Sequence, residues 1–280
     1  MIMITISESD NYSISLNYQS QHDEFYFFLI SLERPPFYAE QEYTFDKASI
    51  DSFLQSSQYL EINNTSPISL VSLDLDFSME FNMVREDTIN VVASFYGGEK
   101  GFLQSFFTIN KQSFFLLARQ LKDILYGGAN NGISKVGYPG VPKELEADNL
   151  SSAKELVLYD SNRNIVLTLQ AKDNLGMESF YLIIDNPPFS LHTVLPFNKQ
   201  SLNHFIEDVS SIYNREKTSI ALKSSDALFS LAITSNIYLH MNATITFESK
   251  DEGRLVTYFD FDQSYLPELI CQISKIIAVH

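Results

Sequence analysis

Asn110-Lys111-Gln112-Ser113 returns unchanged as Asn198-Lys199-Gln200-Ser201, and each copy lies between a short apolar alternation and a helical apolar stripe. Two looser copies flank the pair, at Asp46-Lys47-Ala48-Ser49 and Asp262-Gln263-Ser264-Tyr265. From one Asx residue to the next the steps are 64, 88 and 64 residues. An Asn or Asp immediately before a helical stripe is an N-cap, its side-chain oxygen accepting from a free N–H of the first turn. The chain therefore reads as one unit repeated four times, strands first and a capped helix last.

The strands show as alternation. Met1 to Ile6 and Tyr12 to Tyr18 alternate apolar with small or polar residues, the signature of half-buried strands. Phe25 to Ile30 is continuous and β-favouring, a strand expected to be buried on both faces or against a helix, and Pro35-Pro36 ends it. Tyr38 to Phe45 is the fourth candidate. Ser72 to Met83 gives the cleanest pattern, with Leu73, Leu75, Phe77, Met79, Phe81 and Met83 on one face. On the other face of that expected strand stand Asp74, Asp76 and Glu80. They make either an ordinary solvated sheet face or an acidic docking strip. Thr88 to Phe95, a turn at Gly97-Gly98, and Phe102 to Ile109 complete the meander.

The helices follow their caps. Ile50, Phe53, Leu54 and Leu60 form the first stripe. Phe114, Leu117, Ala118, Leu121 and Leu125 form the second, with Gly127-Gly128 as a left-handed stop. Five of the ten glycines then fall between Gly127 and Gly140, beside Pro139 and Pro142, and no apolar period survives there. A structureless connection of about two dozen residues is far longer than the usual ~4–6 and reads as a linker.

A shift of 152 lays the second half on the first. It matches Pro35-Pro36-Phe37 to Pro187-Pro188-Phe189, Phe45 to Phe197, Phe77-Ser78 to Phe229-Ser230, Phe95 to Phe247 and Gly101 to Gly253. The third helix carries Leu202, Phe205, Ile206 and Val209, and the fourth Leu266, Leu269, Ile270, Ile273 and Ile277. In the fourth, Ser264 is the candidate cap, Pro267 then falls in the first turn, and Cys271 is expected as a small buried thiol. The expected fold is α+β: four repeats of a four-stranded antiparallel meander and one helix, arranged as two similar halves. The domains are residues 1–126, a linker at 127–150, and residues 151–280.

Acidic residues outnumber basic ones 35 to 19, a formal charge of −16. That charge repels phosphate backbones and anionic lipid, so neither nucleic acid nor a membrane is an expected partner. A single cysteine permits no intrachain disulfide, no apolar run approaches a membrane span, and the N-terminus lacks a basic leader. A cytoplasmic location is expected. The five histidines are scattered, and no zinc, phosphate-loop, dinucleotide or nucleophile-elbow motif occurs, so no enzyme and no cofactor is expected. Asp260 and Asp262 sit at strand spacing, but Asp262 is already read as a cap.

The strand-to-helix junctions Phe106-Phe107-Thr108-Ile109-Asn110 with Phe114, Leu117 and Leu121, and Val194-Leu195-Pro196-Phe197-Asn198 with Leu202, Phe205 and Ile206, resemble those of the WapI-type bacterial immunity proteins. The resemblance implies two tandem copies and neutralisation of a toxin made by the same strain. It carries over no site residue, and the Trp expected in that family is absent here. With the charge, it leads to a non-enzymatic binding module that meets a basic toxin through its acidic surface. The alternative is a scaffold like a sliding clamp, which also uses four strand-and-helix units, though permuted relative to these and with basic helices.

Overall fold

The computed structural model describes residues 2–9, 12–60, 67–127, 155–171, 179–236 and 240–277. The fold is α+β, with four antiparallel meanders each followed by a helix. The first meander comprises β1 (Ile2–Ser9), β2 (Tyr12–His22), β3 (Phe25–Arg34) and β4 (Phe37–Asp46), followed by α1 (Lys47–Ser57). The second comprises β5 (Ile68–Val71), β6 (Phe77–Arg85), β7 (Thr88–Tyr96) and β8 (Gly101–Asn110), followed by α2 (Lys111–Tyr126). The third has β9 (Glu155–Tyr159), β10 (Ile165–Ala171), β11 (Ser179–Asn186) and β12 (Phe189–Pro196), then α3 (Lys199–Tyr213). The fourth has β13 (Ser219–Lys223), β14 (Phe229–Ser235), β15 (His240–Ser249) and β16 (Gly253–Asp262), then α4 (Leu266–Ile277).

The chain forms two compact units. One contains Met1–Gly98, Phe102–Tyr138 and Lys250–Gly253; the other contains Glu99–Gly101, Pro139–Ser249 and Arg254–His280. Residues 128–154, which hold most of the expected linker, lie outside the described residues.

Within the first unit α1 and α2 pack on each other, α1 covers β5 and α2 covers β1. The second unit repeats this arrangement, with α3 on β13 and α4 on β9. Each helix thus lies against the first strand of a meander, where unpaired backbone groups would otherwise invite another chain. At β9 the cover includes a hydrogen bond: the Val157 N–H donates to Gln272 Oε1 of α4 at 2.9 Å.

The core is aromatic, and the duplication is written in it. Phe28, Phe45 and Phe77 form a chain of edge-on rings with centroids 5.6 and 6.1 Å apart. Phe180, Phe197 and Phe229, each 152 residues on, repeat it at 5.5 and 5.9 Å. Edge-to-face pairs add about 0.5–1.5 kcal/mol each beyond their burial. The two glycines matched by the same shift share a backbone state, with φ of 119° at Gly101 and 144° at Gly253. A Cβ at Gly253 would lie 2.1 Å from the carbonyl oxygen of Gln104 in the same unit, so no larger residue fits.

The caps form as their spacing requires. The N–H of Ser49, Ser113 and Ser201 donates to Asp46, Asn110 and Asn198 at 2.8, 2.8 and 2.6 Å. The fourth junction decides between its two candidate caps: Asp262 accepts from the Ser264 N–H at 2.8 Å and opens a 3-10 turn (Gln263–Tyr265) before α4, and Ser264 lies inside that turn.

Other expectations change in detail. Cys271 is exposed, because the buried stripe of α4 runs through Leu266, Leu269, Ile273 and Ile276. Ile124 takes the inward place expected for Leu125, and Gly127 ends α2 in the right-handed region at φ −76°. The run Phe25 to Ile30 is buried on one face only, with Phe25 itself 40% exposed.

Candidate functional site

The largest departure from the expected pattern falls on the acidic strip. Ser72 to Met83 is not one strand: β5 ends at Val71, and a loop of Ser72 to Asp76 precedes β6. Ser72 closes the loop from both sides. Its N–H donates to the Phe77 carbonyl at 2.9 Å, and its hydroxyl accepts from the Phe77 N–H at 2.9 Å. The hydroxyl proton goes to Asp76 Oδ1 at 2.6 Å. Leu75 turns the chain in the left-handed region, φ 61°, a conformation that costs a branched residue about 1–2 kcal/mol.

This loop separates the three carboxylates without dispersing them. Asp74 is exposed within the loop, Asp76 sits half-buried where the loop joins β6, and Glu80 stands half-buried on the outer face of that strand. Leu73 and Leu75, expected in the core, are instead 43% and 72% exposed beside Asp74. The inner face of β6 keeps Phe77, Met79 and Phe81, all buried.

The strand register builds an outer face around these acids. Glu80 pairs with Val92, and Val92 with Phe106; Ser78 pairs with Ser94, and Ser94 with Gln104. Gln104 Nε2 donates to Ser94 Oγ at 3.1 Å. Tyr96 pairs with Phe102, their rings 6.3 Å apart, and the Tyr96 N–H donates to the Asp76 carbonyl at 2.8 Å. Tyr96 is 44% exposed. Two carboxylates, a tyrosine–phenylalanine pair and two exposed leucines therefore meet at one end of this meander.

Beneath the face lies Tyr43, whose ring is 5.0 Å from that of Phe77. Burial, aided by the charge of Asp76, pushes its hydroxyl far above the ordinary tyrosine range. That hydroxyl finds no hydrogen-bond partner among the described residues.

The matching face of the second unit has diverged. Its loop keeps the same backbone: Ala227 has φ 60°, the Phe229 N–H donates to Ser224 Oγ at 3.0 Å, and Ser224 Oγ–H donates to Asp226 at 2.5 Å. Leu73 and Leu75 are replaced by Ser225 and Ala227, Asp76 by Leu228 and Glu80 by Ala232. In place of Tyr96 and Phe102 stand Glu248 and Arg254, whose charged ends are 3.8 Å apart. The scaffold has been kept and its outer chemistry exchanged. Aromatic residues are enriched at protein interfaces, whereas an exposed ion pair contributes little.

Among the described residues no three His, Cys, Asp or Glu side chains are grouped to hold a metal ion, and no helix is long and apolar enough to cross a membrane. Asp260 and Asp262 are both exposed, and Asp262 is engaged by Ser264, whose hydrogen bonds hold its carboxyl below the usual range. A crevice lined by Ile6, Ser13, Ile14, Leu32, Arg34 and Phe107 has a cavity volume of about 10 Å³, room for about one water and far below the ~300 Å³ at which ligand pockets begin. Arg34 is committed there, donating to the Glu252 carbonyl at 2.7 Å.

The sequence reading named Asp74, Asp76 and Glu80 but neither Tyr96 and Phe102 nor the exposure of Leu73 and Leu75. The signal available was the 152-residue shift, since the aromatic and acidic positions differ there while the flanking core positions agree. Comparison of the chain with known protein families, with curated proteins and with solved structures finds no match.

Proposed function

We propose that this chain is a non-enzymatic binding module whose outer β5–β8 face receives a basic protein partner. The observation that carries the reading is the divergence of that face between two otherwise matching halves. Asp74, Leu75, Asp76, Tyr96 and Phe102 stand at one end of the first, with Glu80 further along β6, and the second has none of these six except the acid at Asp226. Tyrosine and phenylalanine supply contact area at low entropic cost, and carboxylates around them select a cationic surface.

The net charge of −16 supports the sign of the partner. The identity of that partner as a toxin of the same strain rests on the resemblance of the strand-to-helix junctions to WapI-type immunity proteins. The test is binding of the full chain to the toxin domain encoded beside it, measured by calorimetry. Asp76→Lys with Glu80→Lys is expected to weaken binding at least tenfold, and Tyr96→Ala by a similar factor. Reversal of Glu248, at the matching place in the other half, is expected to weaken it only slightly, through net charge. Equal effects at both places would sink the assignment to this face. Absence of any binding would sink the toxin-neutralising role.

A further inference from the structure

The outward side of α2 differs in sign and chemistry from the rest of this acidic protein. α2 carries Lys111, Arg119 and Lys122 against Asp123 alone. α1 has one base and one acid, α3 one base and two acids, and α4 one of each. Counted from the cap, the fifth and sixth residues are Phe115-Leu116 in α2. They are Asp51-Ser52, Asn203-His204 and Pro267-Glu268 in the others. Phe115 is 43% exposed, Leu116 50% and Tyr126 59%.

Lys111, Phe115, Arg119, Lys122 and Tyr126 follow at i, i+4, i+8, i+11 and i+15. At 3.6 residues per turn they fall within an arc of about 80° and extend over roughly 22 Å. Along that line stand a cation, a ring, two cations and a second ring. The Lys111 ammonium lies 6.0 Å from the Phe115 ring centroid, within cation–π range. The far end is tied to α1, where the Tyr126 hydroxyl donates to Asp51 and the Lys47 ammonium lies 5.9 Å from its ring.

We infer that this stripe is a second docking site, for an acidic protein segment that also carries apolar side chains. The complementarity is of charge and apolar surface together: carboxylates meet Lys111, Arg119 and Lys122, and apolar anchors meet Phe115 and, beside the stripe, Leu116. A phosphate backbone or a lipid headgroup layer would use the cations only. It would also have to approach a chain of net charge −16. The inference stands apart from the β5–β8 face, which takes a partner of the opposite sign.

The test is selection of a displayed library of helical peptides on the full chain, counter-selected on the Arg119→Glu variant. Enriched peptides are expected to hold an excess of Asp and Glu interleaved with Leu, Phe or Met. A synthetic member is expected to lose at least tenfold in affinity on Arg119→Glu and on Phe115→Ala, and to keep it on Lys122→Arg. Thermal melting of each variant separates lost binding from lost fold. No enrichment, enrichment without acidic excess, or equal affinity for the variants would overturn the inference. So would tighter binding of phosphatidylserine vesicles or duplex DNA at the same ionic strength.

Discussion

Asn110 and Asn198 belong to the most repeated motif in the chain, and their chemistry is local. Each accepts one N–H at the start of a helix, and in each the cap residue is extended, with φ of −82° and −97°. Replacing either by Ala is expected to cost about 1 kcal/mol in a urea titration and to leave partner binding intact. Tyr43 presents the opposite case, a buried hydroxyl without a partner among the described residues. Tyr43→Phe keeps the ring contacts and removes that polar group, so it is expected to raise stability by about 1 kcal/mol. A fall in the urea midpoint would show that the hydroxyl is satisfied after all. Asp160 is buried to 5% exposure. Burial alone would push its carboxyl up, but hydrogen bonds from Asn164 and Asn162 and the charge of Lys100 outweigh it and hold it below the usual range. A carboxylate lowered on folding stabilises above its unfolded pKa, and that stability is lost as pH falls through the folded value. The gap in urea midpoint between the native chain and Asp160→Asn is therefore expected to be full near pH 6 and to close below about pH 4.

At the scale of elements, the β5–β6 loop is where local strain and exposed apolar surface coincide. Leu75 is held at φ 61° and is 72% exposed, so neither burial nor backbone preference explains a leucine there. Ala227 holds the same conformation in the matching loop, so the strain belongs to the shared scaffold, and what sets Leu75 apart is its exposed apolar side chain. Leu75→Gly is expected to raise stability by about 0.5–1 kcal/mol while weakening the basic partner's binding. Ala227→Gly, in the matching loop, should change stability in the same direction without touching binding. Calorimetry on the two variants separates these outcomes. The same loop shows how much was legible beforehand. Caps, helix stripes and the order of most strands follow from spacing alone, because a cap and a 3.6-residue period are local properties. The break between β5 and β6 did not, because the apolar alternation runs through the turn without a Gly or Pro to mark it. Nor did the exposure of Cys271. A 3-10 turn precedes α4, and its buried stripe leaves Cys271 facing solvent.

At the scale of the whole molecule, duplication separates what the scaffold needs from what binding needs. Phe28, Phe45 and Phe77 recur as Phe180, Phe197 and Phe229 in the same ring-to-ring geometry, so these positions answer to the core. Tyr96, Phe102, Asp76 and Glu80 do not recur, and a core requirement cannot account for them. The recognition role proposed for them has a long-range consequence. A chain of net charge −16 attracts a cationic partner before contact, and that attraction is screened over a Debye length of about 8 Å at physiological salt. Raising ionic strength from about 0.02 to 0.5 M is therefore expected to slow association at least tenfold, with the dissociation rate changing much less. Asp76→Lys with Glu80→Lys should flatten that salt dependence and also speed dissociation, since it removes charges inside the contact. Charge reversal at Glu248 should reduce the association rate slightly through net charge and leave dissociation alone. Stopped-flow measurements at several salt concentrations distinguish the two. An association rate indifferent to salt would mean that the acidic surface serves solubility alone and that the partner is held by the apolar and aromatic groups of the face.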